Sequence, residues 1–136
     1  MNKQFIRYWL PLLVYSVLIF YLSSLPLNGL KEKESKETFG IPDDVFNHLL
    51  EYGFLAILSY RAFSNSKINI LNKKAFLIAI LFTISYGIID EIHQLFVPTR
   101  LFEIKDIISN SIGTFIILFK NFIKNKKLTS FLFYLF

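Results

Sequence analysis

From Tyr8 to Leu30 the chain carries no charged side chain in 23 consecutive positions. A helix rises about 1.5 Å per residue, so roughly 20 apolar residues cross a hydrocarbon layer of about 30 Å. This stretch is therefore long enough to span a bilayer. Lys3 and Arg7 before it, with Ser23, Ser24 and Pro26 behind, imitate a signal peptide. The small residues are poorly placed for cleavage and more apolar stretches follow, so the segment reads as a retained anchor. Pro11 falls near its start, where a missing N–H costs least.

Composition points the same way. A 136-residue chain that is 54% hydrophobic, with 16 Phe and a mean hydropathy of +0.48, is too apolar for water to be its only solvent. Its length excludes a large multidomain enzyme. The absence of Cys excludes a disulfide scaffold, a thiolate metal site, a thiol nucleophile and a redox dithiol.

Three further apolar stretches follow, each with a polar end. Val45 to Tyr60 contains His48 and Glu51, Ala75 to Ile89 runs into Asp90 and Glu91, and Ile107 to Phe119 follows Asp106. The joints carry loop chemistry: a Lys/Glu-rich segment from Leu27 to Asp43, an Asn/Ser/Lys turn from Ser64 to Lys74, and a break at Pro98 to Arg100. The expected fold is all-α, with four antiparallel transmembrane helices in residues 1–124. Residues 125–136 form a basic and apolar tail, too short to cross and suited to the membrane interface.

The basic residues orient these spans. The net charge of +5 could suit nucleic acid, an anionic surface or a topology bias. Ten of the 15 Lys and Arg fall in the two termini and in the segment from Arg61 to Lys74 between spans two and three, and five in the other two loops. The positive-inside rule then places both termini in the cytoplasm of a multi-pass protein. Every acidic residue lies in an outer loop or the outer part of a span. Topology thus accounts for the basic residues, no aromatic-basic motif accompanies them, and no nucleic-acid partner is expected.

Depth brings the polar residues of separate spans together. Measured from the cytoplasmic basic residue of each span, His48, Asp90 and Asp106 lie at about 20, 24 and 21 Å, with Glu51 and Asn110 lower at about 15 Å. Asp44, His48, Glu51 and Tyr52 share one face of span two; Glu103, Asp106, Asn110, Gly113 and Thr114 share one face of span four. On span three, Asp90, His93 and Gln94 fall in a narrow arc with Glu91 at its margin. Ionisable groups inside spans are costly and normally face the bundle interior, so this layer predicts a polar pocket open to the outside. Gly113 would let span four approach a neighbour closely.

These residues resemble the VanZ-like family of bacterial membrane proteins. The matching pattern is Asp44, His48 and Tyr52, then Asp90-Glu91-Ile92-His93-Gln94-Leu95-Phe96-Val97-Pro98-Thr99-Arg100, then Asp106, Asn110 and Gly113. It covers nearly the whole chain, and the third-span signature is its specific part. Two positions depart from it: Val45 stands where the family often carries Lys, and Thr99 where Gly is usual, which stiffens the turn before Arg100. The resemblance implies a four-span protein of the bacterial cell membrane. Its family-level implication is a contribution to resistance against the glycopeptide teicoplanin, with no molecular activity attached.

Each candidate has two readings. His48 and Tyr52, one turn apart, could hold an anionic headgroup, form a proton-transfer pair, or make an interhelix hydrogen bond. Asp90, Glu91, His93 and Gln94 suffice for acid/base chemistry or, with His48, for a divalent metal, or the acids pair with Arg100. HExxH and other recognised metal spacings are absent, so neither a metal nor any other cofactor is expected. Arg100 could take a phosphate or carboxylate of a lipid-linked wall precursor, or neutralise Asp90 or Asp106. Asp106 could complete the pocket or cap its helix through the dipole, while Asn110 is deep enough to require partners. The hydroxyls of Ser23 and Ser24 can bond back to their helix, and the Lys31 to Glu37 run reads as a solvated loop.

The expected function is binding of an envelope lipid or lipid-linked cell-wall precursor by Asp44, Glu51, Tyr52, Gln94, Arg100, Asp106 and Asn110. The alternative is a membrane-embedded transferase or hydrolase in which His48, Asp90, Glu91 and His93 do the acid/base work. Membrane lipids are the partners in either case.

Overall fold

A computed structural model describes residues 3–26, 37–39 and 41–133. The Lys31 to Glu37 run lies outside these residues except for the backbone of Glu37, as do residues 134–136 of the tail. The chain is mostly helical. A π-helical turn over Phe5–Trp9 leads into α1 (Leu10–Ser23), and a two-residue hairpin, β1 (Glu37–Thr38) with β2 (Ile41–Pro42), precedes α2 (Asp43–Ser64). Then come α3 (Asn69–Lys73), α4 (Ala75–Gln94) and α5 (Ile104–Phe133).

Local chemistry sets these boundaries. Pro11 sits in the first turn of α1 and cannot donate a backbone hydrogen bond, and the wider π-helical turn lies immediately before it. The expected turn at Ser64 to Lys74 contains a short helix, α3. Asn65 Nδ2 donates to the Arg61 carbonyl at 2.8 Å, Asn72 Nδ2 to the Ser64 carbonyl at 2.5 Å, and the Ile68 N–H to Ser66 Oγ at 3.1 Å. These polar side chains satisfy the backbone between α2 and α4 and give the joint its helical turn. Helix α4 runs past Ile89 through the acidic cluster to Gln94, because nothing before Pro98 breaks it.

Phe5–Ser23 and Ala75–Gln94 are long and apolar enough to cross a membrane, with mean hydropathies of 1.7 and 1.9. Helix α2 is interrupted by Asp43, Asp44, Glu51 and Arg61, and α5 by Lys105, Asp106 and Lys120. Helix α2 is central: α5 and α4 pack on it and on each other, and α1 rests on α2 and α4 without reaching α5 among the described residues.

The α2–α5 crossing is close at Gly113. A Cβ there would overlap the Leu49 carbonyl group, whose carbon lies 2.8 Å away, so only glycine admits the two backbones. One half of the bundle is filled by Leu55, Ala56, Ala62, Phe63, Ala79, Ile80 and Leu118, with Phe63 edge-on to Phe82 at 5.7 Å. The other half is filled by polar side chains. The outer surface is apolar, with Val17 of α1, Leu81 and Ile89 of α4, and Phe115 and Phe119 of α5 all exposed.

Candidate functional site

The polar half is built by α1, α2, α4 and α5, and Asp90 is its best-connected member. It is buried, and its Oδ1 accepts a 2.5 Å hydrogen bond from Ser23 of α1. Its Oδ2 accepts from the Tyr52 hydroxyl of α2 at 3.1 Å and from Gln94 Nε2 one turn along α4 at 3.3 Å. Three donors on three helices thus meet one carboxylate. Glu91, fully buried, accepts from the same Gln94 amide at 3.3 Å and from the Glu103 backbone N–H at 3.3 Å, which ties the start of α5 to the end of α4.

Beside this network lies His48. Its Nδ1 is 3.1 Å from Asn110 Oδ1, and its Nε2 is 3.6 Å from Asp106 Oδ2. An amide oxygen only accepts, so Nδ1 carries the hydrogen and Nε2 is turned toward the carboxylate. The ring lies 6.4 Å from that of Tyr52 and near-parallel to it. One nitrogen or oxygen of each of His48, Glu91 and Asp106 falls within 4.8 Å of the others, and these three could hold a cation. Asp106 Oδ1 and Asn110 Nδ2 are buried without a hydrogen-bond partner.

On the other side of α2, between α1 and α2, runs a groove of about 450 Å³. Leu18, Leu22, Leu50 and Phe54 give it apolar walls, and Asn47 and Glu51 are its polar members. Tyr15 closes one wall and donates to the Glu51 carbonyl at 3.2 Å.

The arrangement carries the whole motif assembled from the sequence, and a family comparison decides what it is. The sequence pattern described as VanZ/LLP1 matches residues 8–124, most of the chain. The chain belongs to the VanZ-like family. Comparison with curated proteins and with solved structures gave no match.

The VanZ-like motif does not collapse into one point. His48 meets Asp106, which shares its depth, and also Asn110, one turn further along α5, and Tyr52, Asp90, Glu91 and Gln94 adjoin them. His93 is separate: its Nε2 pairs with Ser24 Oγ at 2.9 Å and its ring lies on Phe20 at 4.3 Å, so it faces α1 rather than His48. A two-histidine metal site is therefore replaced by a one-histidine cluster. Tyr52 bonds to Asp90 and not to His48, so the pair is stacked and not proton-sharing.

Arg100 also departs from expectation. Its Nε and Nη2 donate to the Leu25 and Leu22 carbonyls at 3.1 Å each, in the last turn of α1 and just past its end, instead of pairing with Asp90 or Asp106. Thr99 before it adopts φ 68°, the left-handed region that explains why glycine is usual there. Asp106 lies in the first turn of α5, where the helix dipole favours a carboxylate.

Asp44 stands at the rim, half exposed, with Lys105 Nζ at 2.9 Å, and Lys105 also reaches Glu103 at 2.8 Å. The hydrogen bond from Lys105 holds the Asp44 carboxyl below the usual carboxylate range. Position 45 is Val, so the cation next to Asp44 comes from α5. Ser23, Ser24 and Lys105 are the contributors that sequence reasoning missed. Both serines do bond back to the Phe20 carbonyl, at 3.1 and 2.6 Å, yet each also reaches α4. Their position at the C-terminal end of the first apolar stretch is the signal that the sequence offers.

Proposed function

We propose that this VanZ-like protein is a multi-pass protein of the bacterial cell membrane. Four antiparallel spans, α1, α2, α4 and α5, place both termini in the cytoplasm, and a polar pocket toward the outside binds an envelope lipid or lipid-linked cell-wall precursor. A contribution to teicoplanin-type glycopeptide resistance follows at the level of the family. The observation that carries this reading is the groove between α1 and α2, whose apolar walls hold Asn47 and Glu51, the chain neighbours on α2 of His48 and Tyr52. An acyl or prenyl chain suits the walls, and a headgroup bearing hydroxyl or ammonium donors suits the carboxylate. The exposed apolar residues of α1, α4 and α5 around a polar interior support the bilayer as surroundings.

Native mass spectrometry of the purified protein tests the ligand. A discrete lipid species should be retained, and Glu51→Gln or Leu22→Trp should release it. Retention of unselected bulk lipid by wild type and both variants alike would overturn the reading. The chain has no cysteine, so single cysteines can be introduced for labelling from each side. Labelling of position 103 from the cytoplasm would reverse the topology.

A second reading, a transferase or hydrolase for a lipid-linked anionic substrate, is favoured by the His48–Asp106 pair next to Glu91. The imidazole of an acid/base pair is then His48, since His93 is engaged with α1. Turnover of a lipid-linked phosphate that is abolished by His48→Gln would support it; unchanged turnover in that variant would exclude it.

A further inference from the structure

The cluster at the α2–α4–α5 junction gathers more acceptors than its hydrogen bonds can use. Three potential ligand atoms, one each from His48, Glu91 and Asp106, lie within 4.8 Å of one another. Glu91 and Asp106 are buried, and so is Asp90 in the next position. The cations nearby are committed elsewhere: Arg100 to the α1 carbonyls, and Lys105 to Asp44 and Glu103 at the rim. Buried carboxylates with one imidazole between them call for a positive charge.

Geometry narrows the kind of charge. His48 donates from Nδ1 to Asn110 Oδ1, the outer-shell arrangement that fixes a ligating imidazole and turns the other nitrogen's lone pair inward. That nitrogen faces Asp106 Oδ2 at 3.6 Å, longer than a charge-assisted hydrogen bond of about 2.7–2.9 Å. A first-row divalent ion with bonds of about 2.1 Å to each atom would span this distance at an angle of about 120°. Asp106 Oδ1, buried and unpartnered, is a second oxygen on the same carboxylate. Two such bonds reach about 4.2 Å, so the Glu91 carboxylate completes the set by moving in by less than about 1 Å.

We infer that His48, Glu91 and Asp106 form a binding site for a divalent first-row metal ion, with Asn110 as the residue that positions the imidazole. One nitrogen and two carboxylates leave coordination positions for water or for an anionic group, and this donor set suits Mn²⁺ or Zn²⁺ better than Ca²⁺, which takes oxygen ligands almost exclusively. The inference stands on the cluster alone and does not need the lipid reading.

The test uses the full chain in detergent, stripped with chelator and titrated with Mn²⁺ alone under electron paramagnetic resonance. One Mn²⁺ per chain should bind, with pulsed spectra showing ¹⁴N modulation from an imidazole. His48→Ala should remove the modulation, Asp106→Asn and Glu91→Gln should each weaken binding at least about 100-fold, and Asn110→Ala about 10–100-fold. Circular dichroism and elution volume establish which variants remain folded; Asn110→Ala provides the graded result if a ligand variant does not. Wild-type protein that binds no stoichiometric Mn²⁺ or Zn²⁺ overturns the inference. So does binding without nitrogen modulation, or affinity unchanged in a folded Asp106→Asn or Asn110→Ala.

Discussion

Replacing Gly113 by Ala puts a methyl group onto the backbone of α2. The carbonyl carbon and Cα of Leu49 would each lie 2.8 Å from the new Cβ, with the carbonyl oxygen in deeper overlap. Carbon atoms settle at about 3.5–4.0 Å, so α5 must withdraw from α2 by roughly 1 Å. Overpacking of this kind costs up to about 3 kcal/mol, and the higher helix propensity of Ala returns about 1 kcal/mol, leaving a net loss of about 2 kcal/mol. That is about thirty-fold in the folding equilibrium. Gly53→Ala is the milder comparison: its Cβ overlaps the end of the Ile117 side chain, which can rotate, and stands 3.2 Å from the Gly113 carbonyl oxygen, so its net cost is smaller than that of Gly113→Ala. Unfolding in mixed micelles can be followed through Trp9, the single tryptophan, whose ring packs on Phe63 at 5.8 Å. A Gly113→Ala protein within about 0.5 kcal/mol of wild type, or a larger loss for Gly53→Ala, would refute the backbone-contact argument. The same withdrawal draws Asp106 and Asn110 away from His48, so Mn²⁺ uptake should weaken together with stability.

Tyr52→Phe removes one donor from Asp90 and should cost about 1 kcal/mol, measured by the same unfolding assay, because Ser23 and Gln94 remain on the carboxylate. Thr99→Gly should raise stability by about 1 kcal/mol, since a β-branched residue at φ 68° is disfavoured by that order. Arg100→Ala should accelerate amide exchange in the last turn of α1 while shifting global stability by less than about 1 kcal/mol. Asp44 has a lowered pKa in the folded protein, so its contribution is complete above the ordinary Asp pKa and is lost only as pH falls through the lowered value. Melting temperature in Asp44→Asn should therefore match wild type in acid and fall slightly short of it at neutral pH.

The residues that converge were legible wherever depth and helical face both constrained them. His48 and Asp106 sit at similar levels, Asn110 lies one turn from Asp106 on the same face of α5, and packing α2 against α5 brings the three together. On α4 the spacing sets Asp90, His93 and Gln94 in one arc with Glu91 at its margin. At about 100° per residue His93, Asp90, Gln94 and Glu91 fan across roughly 160°, and three neighbours divide that fan. His93 looks at α1, Asp90 at the seam of α1 and α2, and Glu91 at α5. Nothing in the sequence says that α1 lies beside α4 and away from α5, so the fates of His93 and Arg100 were not readable from it. The hydroxyls of Ser23 and Ser24 were discounted for the same reason, because a serine in an apolar helix can always bond to its own backbone.

The central placement of α2 has a consequence for biogenesis. Chains emerge from the ribosome N-terminus first, and in the four-span arrangement His48 enters the bilayer some 60 residues before Asp106 and Asn110 are made. Asp90 meets a different situation, since Ser23 and Tyr52 are both already in place to receive it. On the proposed four-span topology, the newborn protein shelters the His48 imidazole, in the translocase or at the headgroup level, until its last long helix arrives. Truncation before Ile104 would strand that imidazole and leave an intermediate for quality-control proteases to recognise.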